Sequence, residues 1–249
     1  MSSQKPGLLS VIIPNYNYGA YIAETMASVA AQDYAPIELI VVDDASTDDS
    51  VKAMKASAAD MGHLERVEIV PLDTNVGKLG AMNRGLEMIE GEYLIILDSD
   101  DRLVPDYASR CIAELKSAHA ANQHIGFVYT DCNLISAEGD FLDRGRSTAF
   151  KPELLEIYSF IPEPAVCLAS IVTDSAPYDE SIRRGTKHHK WTRIVGKGWH
   201  GHYLPEPLFE YRMHDANISG IGKRVLDEVD EGKRGERILS GYWPTQQQQ

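Results

Sequence analysis

The chain has 249 residues, 43% of them hydrophobic, and a formal net charge of -13 at pH 7. Its length suits one large α/β domain, or one such domain with a small appendage, and its composition supplies a substantial core. The acidic balance, with no basic block to neutralise phosphates, argues against a nucleic-acid partner.

In chain order, Leu8 to Ile13 is an apolar run ended by Pro14-Asn15-Tyr16-Asn17, which predicts a strand. Tyr21, Ile22, Thr25, Met26, Val29 and Ala30 then recur at helical spacing. Ile37 to Val42 is a second strand, closed by Asp43-Asp44-Ala45-Ser46-Thr47-Asp48-Asp49, with Ser46 or Thr47 as the expected cap of a helix through about Ala59. Val67 to Val70 is a third strand, followed by Asn75-Val76-Gly77-Lys78 and a helix to about Glu90. Tyr93 to Leu97 is a fourth. Strands alternating with helices call for a mostly parallel, Rossmann-like doubly wound sheet, with its polar loops gathered at one edge.

Past Pro105 a helix to about Ala121 and a strand from Ile125 to Thr130 are expected. From about Asn133 to Pro164 the pattern weakens, and loop with short helix is predicted. Ala165 to Val172 and Leu208 to Arg212 are later apolar runs. From Gly220 the chain is highly charged and ends in Tyr242-Trp243 and glutamines. A tail over 221–249 is expected to be an exposed helix or partly disordered, with a homo-oligomer contact through Tyr242-Trp243 as one use. Cys111, Cys132 and Cys167 are odd in number and lack C-x-x-C spacing, which fits buried thiols in a reducing compartment. No signal-like h-region and no apolar run near ~18 residues are present, so no transmembrane segment and a cytoplasmic location are expected.

The most informative letters are Asp98-Ser99-Asp100-Asp101, directly after the fourth strand. Asp98 and Asp100 are two apart, so in extended backbone both side chains point one way. Carboxylates this close repel unless a cation sits among them, and hard oxygen ligands favour Mg²⁺ or Mn²⁺. Alone, such a run is usually a solvated turn. The residues upstream change that.

The ordered set Ser10 to Asn17, Glu38 to Asp48, Asn75-Val76-Gly77, Asn83-Arg84-Gly85 and Gly91 to Asp101 resembles family 2 glycosyltransferases of the GT-A fold. The match is close over roughly 8 to 107 and looser beyond. The resemblance implies an inverting transferase moving a hexosyl or N-acetylhexosaminyl unit from a UDP-sugar to a saccharide or glycoconjugate acceptor, with Mn²⁺ or Mg²⁺ as cofactor. Residues 1–110 would bind the donor, and 111–220 would form the acceptor half of the same domain. Carried over from the family, Asp100 and Asp101 are the metal-side residues, and Asp98 and Ser99 lie on the donor side toward ribose. Asp44 is the acid that meets uracil, Tyr16 the aromatic packed on it, and Pro14 and Asn15 line the same pocket. Lys78 is placed to meet base or diphosphate. His214 is a third metal ligand or phosphate donor, and Arg212 a phosphate clamp.

One departure stands out. The family's base is an acid pair a few residues before a helical Trp, and counting back from Trp191 lands on Thr186-Lys187. Three readings follow: His188 or His189 takes the acceptor proton; another acid such as Asp174, Asp179 or Glu180 does so; or the chain binds nucleotide-sugar on a GT-A fold and is catalytically impaired. Other enzyme classes fit less well. A calcium loop from Asp98 needs Gly where Leu103 stands, and no G-x-G-x-x-G follows the first strand.

Overall fold

The computed structural model describes residues 4–215, Asn217, 225–227, Gly232 and 237–238. Four parallel strands form its frame: β1 (Lys5–Asn15) lies between β2 (Ile37–Asp43) and β4 (Gly91–Ile96), with β3 (Arg66–Pro71) beyond β2. The crossovers are α1 (Ile22–Ala30), α2 (Ser50–Ala58) and α3 (Lys78–Leu86). Past β4 the sheet continues through the short β8 (Val166–Leu168), antiparallel to its neighbours, into β6 (Ile125–Ile135). One edge of β6 also pairs with β7 (Phe141–Arg146), while β9 (His200–Arg212) runs parallel along the other. β10 (Arg237–Ile238) adds to β7. This is the mixed, mostly parallel α/β sheet that the element alternation predicts.

Successive strand residues serve opposite faces, and both faces are covered. Leu9, Val11, Ile13, Leu39, Val41, Tyr93 and Ile95 pack under α1, α2 and α4 (Tyr107–Ala121) with Met26, Met54, Tyr107 and Ile112. Ile12, Leu94 and Ile96 face the other way, against Leu79 and Met82 of α3 and Trp191 and Ile194 of α6 (Thr186–Gly196).

Several expectations shift. The second helix starts at Ser50, because Ser46 is engaged at the strand end, donating to Asp43 Oδ1 at 2.6 Å and accepting from the Asn17 N–H at 2.9 Å. The third stops at Leu86, since the Glu90 and Gly91 amides donate to Glu38 and Ser10 side chains at the next strand's start. The region 133–164 holds the end of β6, all of β7 and a 3₁₀ turn (Pro152–Glu156). Ala165 to Val172 divides into β8 and α5 (Ala169–Thr173). Leu208 to Arg212 is only the end of β9, whose first residues are polar. Gly201 belongs there because a Cβ would stand 2.4 Å from the Phe127 ring.

The three cysteines are buried and unpaired. No helix among the described residues is long and apolar enough to cross a membrane. Most of the predicted tail, Tyr242-Trp243 included, lies outside the described residues.

Candidate functional site

The last ladder bond of the central strand is the Leu97 N–H to Ile12 O at 2.9 Å. The chain then turns, closed by the Asp101 N–H donating to Asp98 O at 3.2 Å. The carboxylates therefore converge through a turn, not through the alternation of extended backbone expected from the sequence. One oxygen from each of Asp98, Asp100 and Asp101 lies within 4.8 Å of the others. Ser99 anchors the turn: its carbonyl accepts the Thr25 hydroxyl of α1 at 2.9 Å.

The acids differ in their partners. Asp98 receives the Lys78 ammonium. Asp100 Oδ2 meets His214 Nε2 at 3.0 Å and Asn217 Nδ2 at 3.3 Å. Asp101 is fully buried; its Oδ1 accepts the Arg212 N–H at 3.0 Å, and its Oδ2 has no partner among the described residues. Burial, and then the charges of Asp100 and Asp98, push the Asp101 carboxyl well above the usual carboxylate range. An orphaned, buried oxygen among hard oxygen donors suits a divalent cation.

A carboxyl whose folded pKa is raised binds more protons folded than unfolded, so it weakens the fold as pH climbs from its unfolded value toward the raised one. A cation competes with that proton and removes the repulsion. Mn²⁺ is therefore expected to stabilise the chain, by about 2.7 kcal/mol at one hundred times its Kd. By thermal unfolding, the gain at fixed Mn²⁺ is larger at pH 8 than at pH 6.

The end of β9 reaches this turn because β5 (Arg102–Leu103) pairs with it antiparallel, Arg102 opposite Glu210. Arg212 is fully buried and its donors are committed: Nε to Asp100 O at 2.9 Å, one terminal nitrogen to Ala137 O at 2.7 Å, the other to Glu24 Oε2 at 2.7 Å. The expected phosphate clamp is thus a fastener between β9, α1 and the acid turn. Each of its three nitrogens donates to a protein oxygen, and full burial shields the remaining N–H bonds, which suits a fastener better than a phosphate clamp. His214 stands beside the acids but outside the converging set, stacked on Tyr21 at 5.0 Å with Tyr18 edge-on at 5.6 Å. Burial, then Asp100, Asp98 and Asp101, hold the Tyr18 hydroxyl above its ordinary range, so it enters this site as a neutral donor. Tyr18, Tyr21 and Glu24 were not singled out from sequence, where they read as one face of a loop and helix.

At the end of β1, Pro14 and Asn15 are buried, and Tyr16 is 46% exposed. Asn15 donates to Asp43 Oδ1 at 2.9 Å. Asp44 accepts the Val76 and Gly77 amides at 2.6 and 2.8 Å, fixing the loop that leads into α3. Burial raises its carboxyl, against those amides and Arg183. Gly77 has φ +83, and a Cβ there would lie 2.0 Å from the Arg183 guanidinium. Arg183 thus stands over the Asn75–Gly77 loop from more than a hundred residues away, a placement no local pattern signals. Burial opposes the charge on Lys78, but Asp98 and Glu163 outweigh it and hold the ammonium above the ordinary lysine range.

Helix α6 presents Lys190, Trp191 and Ile194 inward. Lys187, one turn before them, shares that face. Lys190 makes a buried ion pair with Glu163 and lies over the Trp191 ring. His188, by contrast, lines a cavity of about 330 Å³ on another flank with Pro152, Leu155, Glu156, Thr192 and Val195. His189 packs edge-on to Tyr178 and accepts the Asp179 N–H at 3.4 Å. Burial lowers both imidazoles below the usual histidine range. Asp174 is exposed at the end of α5, its carbonyl taking the Lys197 ammonium. The contacts described for His188, His189 and Asp174 are with the Pro152–Glu156 turn, with Tyr178 and Asp179, and with Lys197, and none of these is with the acid cluster. Glu163, absent from the predicted residues, is placed there by the loop before β8.

A family model described as "Glycosyl transferase family 2" matches residues 10–159. TuaG of Bacillus subtilis (strain 168), named for teichuronic acid biosynthesis, is 30% identical over 224 residues, covering 88% of this chain and 84% of its own length. The amylovoran biosynthesis glycosyltransferase AmsB of Erwinia amylovora is 26% identical over 210 residues, covering 82% of this chain and 69% of its own. Among solved structures, S. aureus TarS in complex with UDP-GlcNAc superposes with a TM-score of 0.65 at 19% identity, covering 89% of this chain and 65% of that one. The Pyrobaculum calidifontis mannosyltransferase PcManGT in complex with GDP-Man and Mn²⁺ gives 0.65 at 21% identity, with 86% and 59% covered. The chain spans about 59–65% of those two longer chains. With its family 2 match, its relatives and its strand-end acids at the edge of a mostly parallel sheet, the chain belongs to glycosyl transferase family 2 and is a glycosyltransferase of the GT-A fold.

Proposed function

We propose that this enzyme moves a sugar from a UDP-sugar to a saccharide acceptor hydroxyl, with inversion, using Mn²⁺ or Mg²⁺. The observation that carries the reading is the convergence of Asp98, Asp100 and Asp101 within 4.8 Å, one of them with a buried oxygen left without a partner. Asp100 and Asp101 would hold the cation, which when bound supplies charge neutralisation to the departing diphosphate. Asp98 takes the ribose side with Lys78 at its shoulder, and Asp44, Asn15, Pro14 and Tyr16 take the base. The names of TuaG and AmsB support a polysaccharide acceptor, and the UDP-GlcNAc carried by TarS supports a UDP donor. Residues 1–110 are the donor half and 111–220 the acceptor half.

Calorimetric titration of UDP against GDP and dTDP, followed by proton NMR of the anomeric configuration in the product, tests both halves of the reading. Uridine selectivity and an inverted anomer support it. Equal binding of all three nucleotides or a retained anomer overturns it.

The direction of His188 and His189 also has a consequence for turnover. His188→Ala and His189→Ala are expected to keep initial rates within about threefold of the parent, not to show the about 10²- to 10⁴-fold loss that removal of a general base brings.

A further inference from the structure

Between the donor acids and α6 stand three lysines and two carboxylates: Lys187 lies within electrostatic reach of Glu163, Asp98, Lys78 and Lys190, and Lys78 within reach of Asp98 and Glu163. Both carboxylates are directly paired, Asp98 with Lys78 and Glu163 with Lys190. Lys187 is left over. Among the described residues it makes no hydrogen bond and no ion pair, although it is partly buried. The nearby acids do not supply a partner either. Asp179 is hydrogen-bonded to Ser181, and Glu180 to Asn83, with Arg84 beside it.

Nor does helix stability call for this lysine. It stands in the first turn of α6, where the macrodipole disfavours a cation and where no acid is present. Its methylenes do not account for the choice of residue, since a methionine would fill the same space without an ammionium to desolvate. Burial pushes the Lys187 ammonium below the usual lysine range, against the pull of Glu163 and Asp98. What would restore it is an anion brought from outside.

We propose that Lys187 binds an anionic group, a carboxylate or a phosphate, carried by the acceptor saccharide, and that it makes this enzyme select acidic over neutral acceptors. The inference rests on the donor-site reading above, which puts the reacting centre at the strand-end acids, with Asp98 and Glu163 both close enough to act on the Lys187 charge. The exposed Arg183 guanidinium extends the cationic face toward the Asn75–Gly77 loop, held there by one long contact to Asn75 Oδ1 at 3.4 Å.

The test uses the full chain saturated with UDP and Mn²⁺ and measures acceptor-analogue affinity by ligand-observed NMR. Methyl β-D-glucuronide and glucose 6-phosphate are the two anionic probes, and methyl β-D-glucoside is the neutral one. The wild type is expected to prefer at least one anionic probe by about tenfold, which is what one charge-assisted contact supplies. The probe preferred tells carboxylate from phosphate. Lys187→Met is expected to lose that preference with UDP affinity unchanged, and Lys187→Arg to keep most of it. Equal affinity for charged and neutral probes in the wild type, or a preference that survives in Lys187→Met, overturns the inference while leaving the donor site intact. A tenfold loss of UDP affinity in Lys187→Met overturns it too, because the lysine would then serve the diphosphate. Absence of UDP binding in the wild type overturns the donor-site reading and this inference with it.

Discussion

Asp100→Ala is expected to lower sugar transfer by about 10²- to 10³-fold at saturating donor, the scale on which loss of a charge-stabilising group at a developing anion is felt. The side chain sits where two separate parts of the fold meet. The turn after β4 supplies it, and His214 and Asn217 after β9 hold its Oδ2. Removing it takes away one ligand-capable oxygen and leaves His214 without its acidic neighbour. Buried Asp101 stays in place through the Arg212 amide. The fold should therefore survive, so the loss would fall on turnover and on the Mn²⁺ dependence of donor binding. Initial rates of UDP release with and without Mn²⁺ separate this from misfolding: a variant that unfolds at the wild-type temperature yet turns over normally would contradict the metal-side role of Asp100.

Arg212→Ala is expected to cost about 3 kcal/mol of stability, a drop in Tm of roughly 10 °C for a chain of this size. The guanidinium is fully buried, and its removal leaves the carbonyls of Asp100 and Ala137 without donors inside the fold. Glu24, 47% exposed at its side chain, can turn to water, so its loss of a partner adds little. The larger part of the cost is desolvated carbonyl and cavity. Arg212→Lys should recover only part of it, because an ammonium cannot reproduce a fork that reaches three oxygens. Urea denaturation gives the comparison directly. The same variant is expected to weaken Mn²⁺ binding as well, since the Arg212 amide and side chain together fix the turn that gathers the acids.

Residues 1–110 were legible because their signals are local. Strands such as Ile37–Asp43 and Gly91–Ile96 are short apolar runs buried on both faces, each closed by polar residues that mark the sheet edge. Asp98, Asp100 and Asp101 announce themselves by adjacency. The part beyond residue 110 was less legible because its structure is made by distant pairing. The polar start of β9 is a strand only because β6 lies beside it, and Arg212 is a fastener only because Asp100, Ala137 and Glu24 converge on it. Glu163 carries no motif; its place depends on Lys190, 27 residues away. The direction of the helix around Thr186 could in principle have been read from Trp191, since the residue four before an inward tryptophan also points inward. That spacing favours Lys187 over His188 and His189 as the residue facing the site.

A metal-assisted uridine diphosphate site at the strand-end acids is tested by calorimetric titration of UDP with and without Mn²⁺ on the wild type and on the Asp100→Ala, Asp101→Ala double variant. Binding is expected to strengthen with Mn²⁺ in the wild type and to lose that strengthening in the variant. Binding that is equally tight with and without Mn²⁺, or a Mn²⁺ effect that persists in the variant, would contradict it.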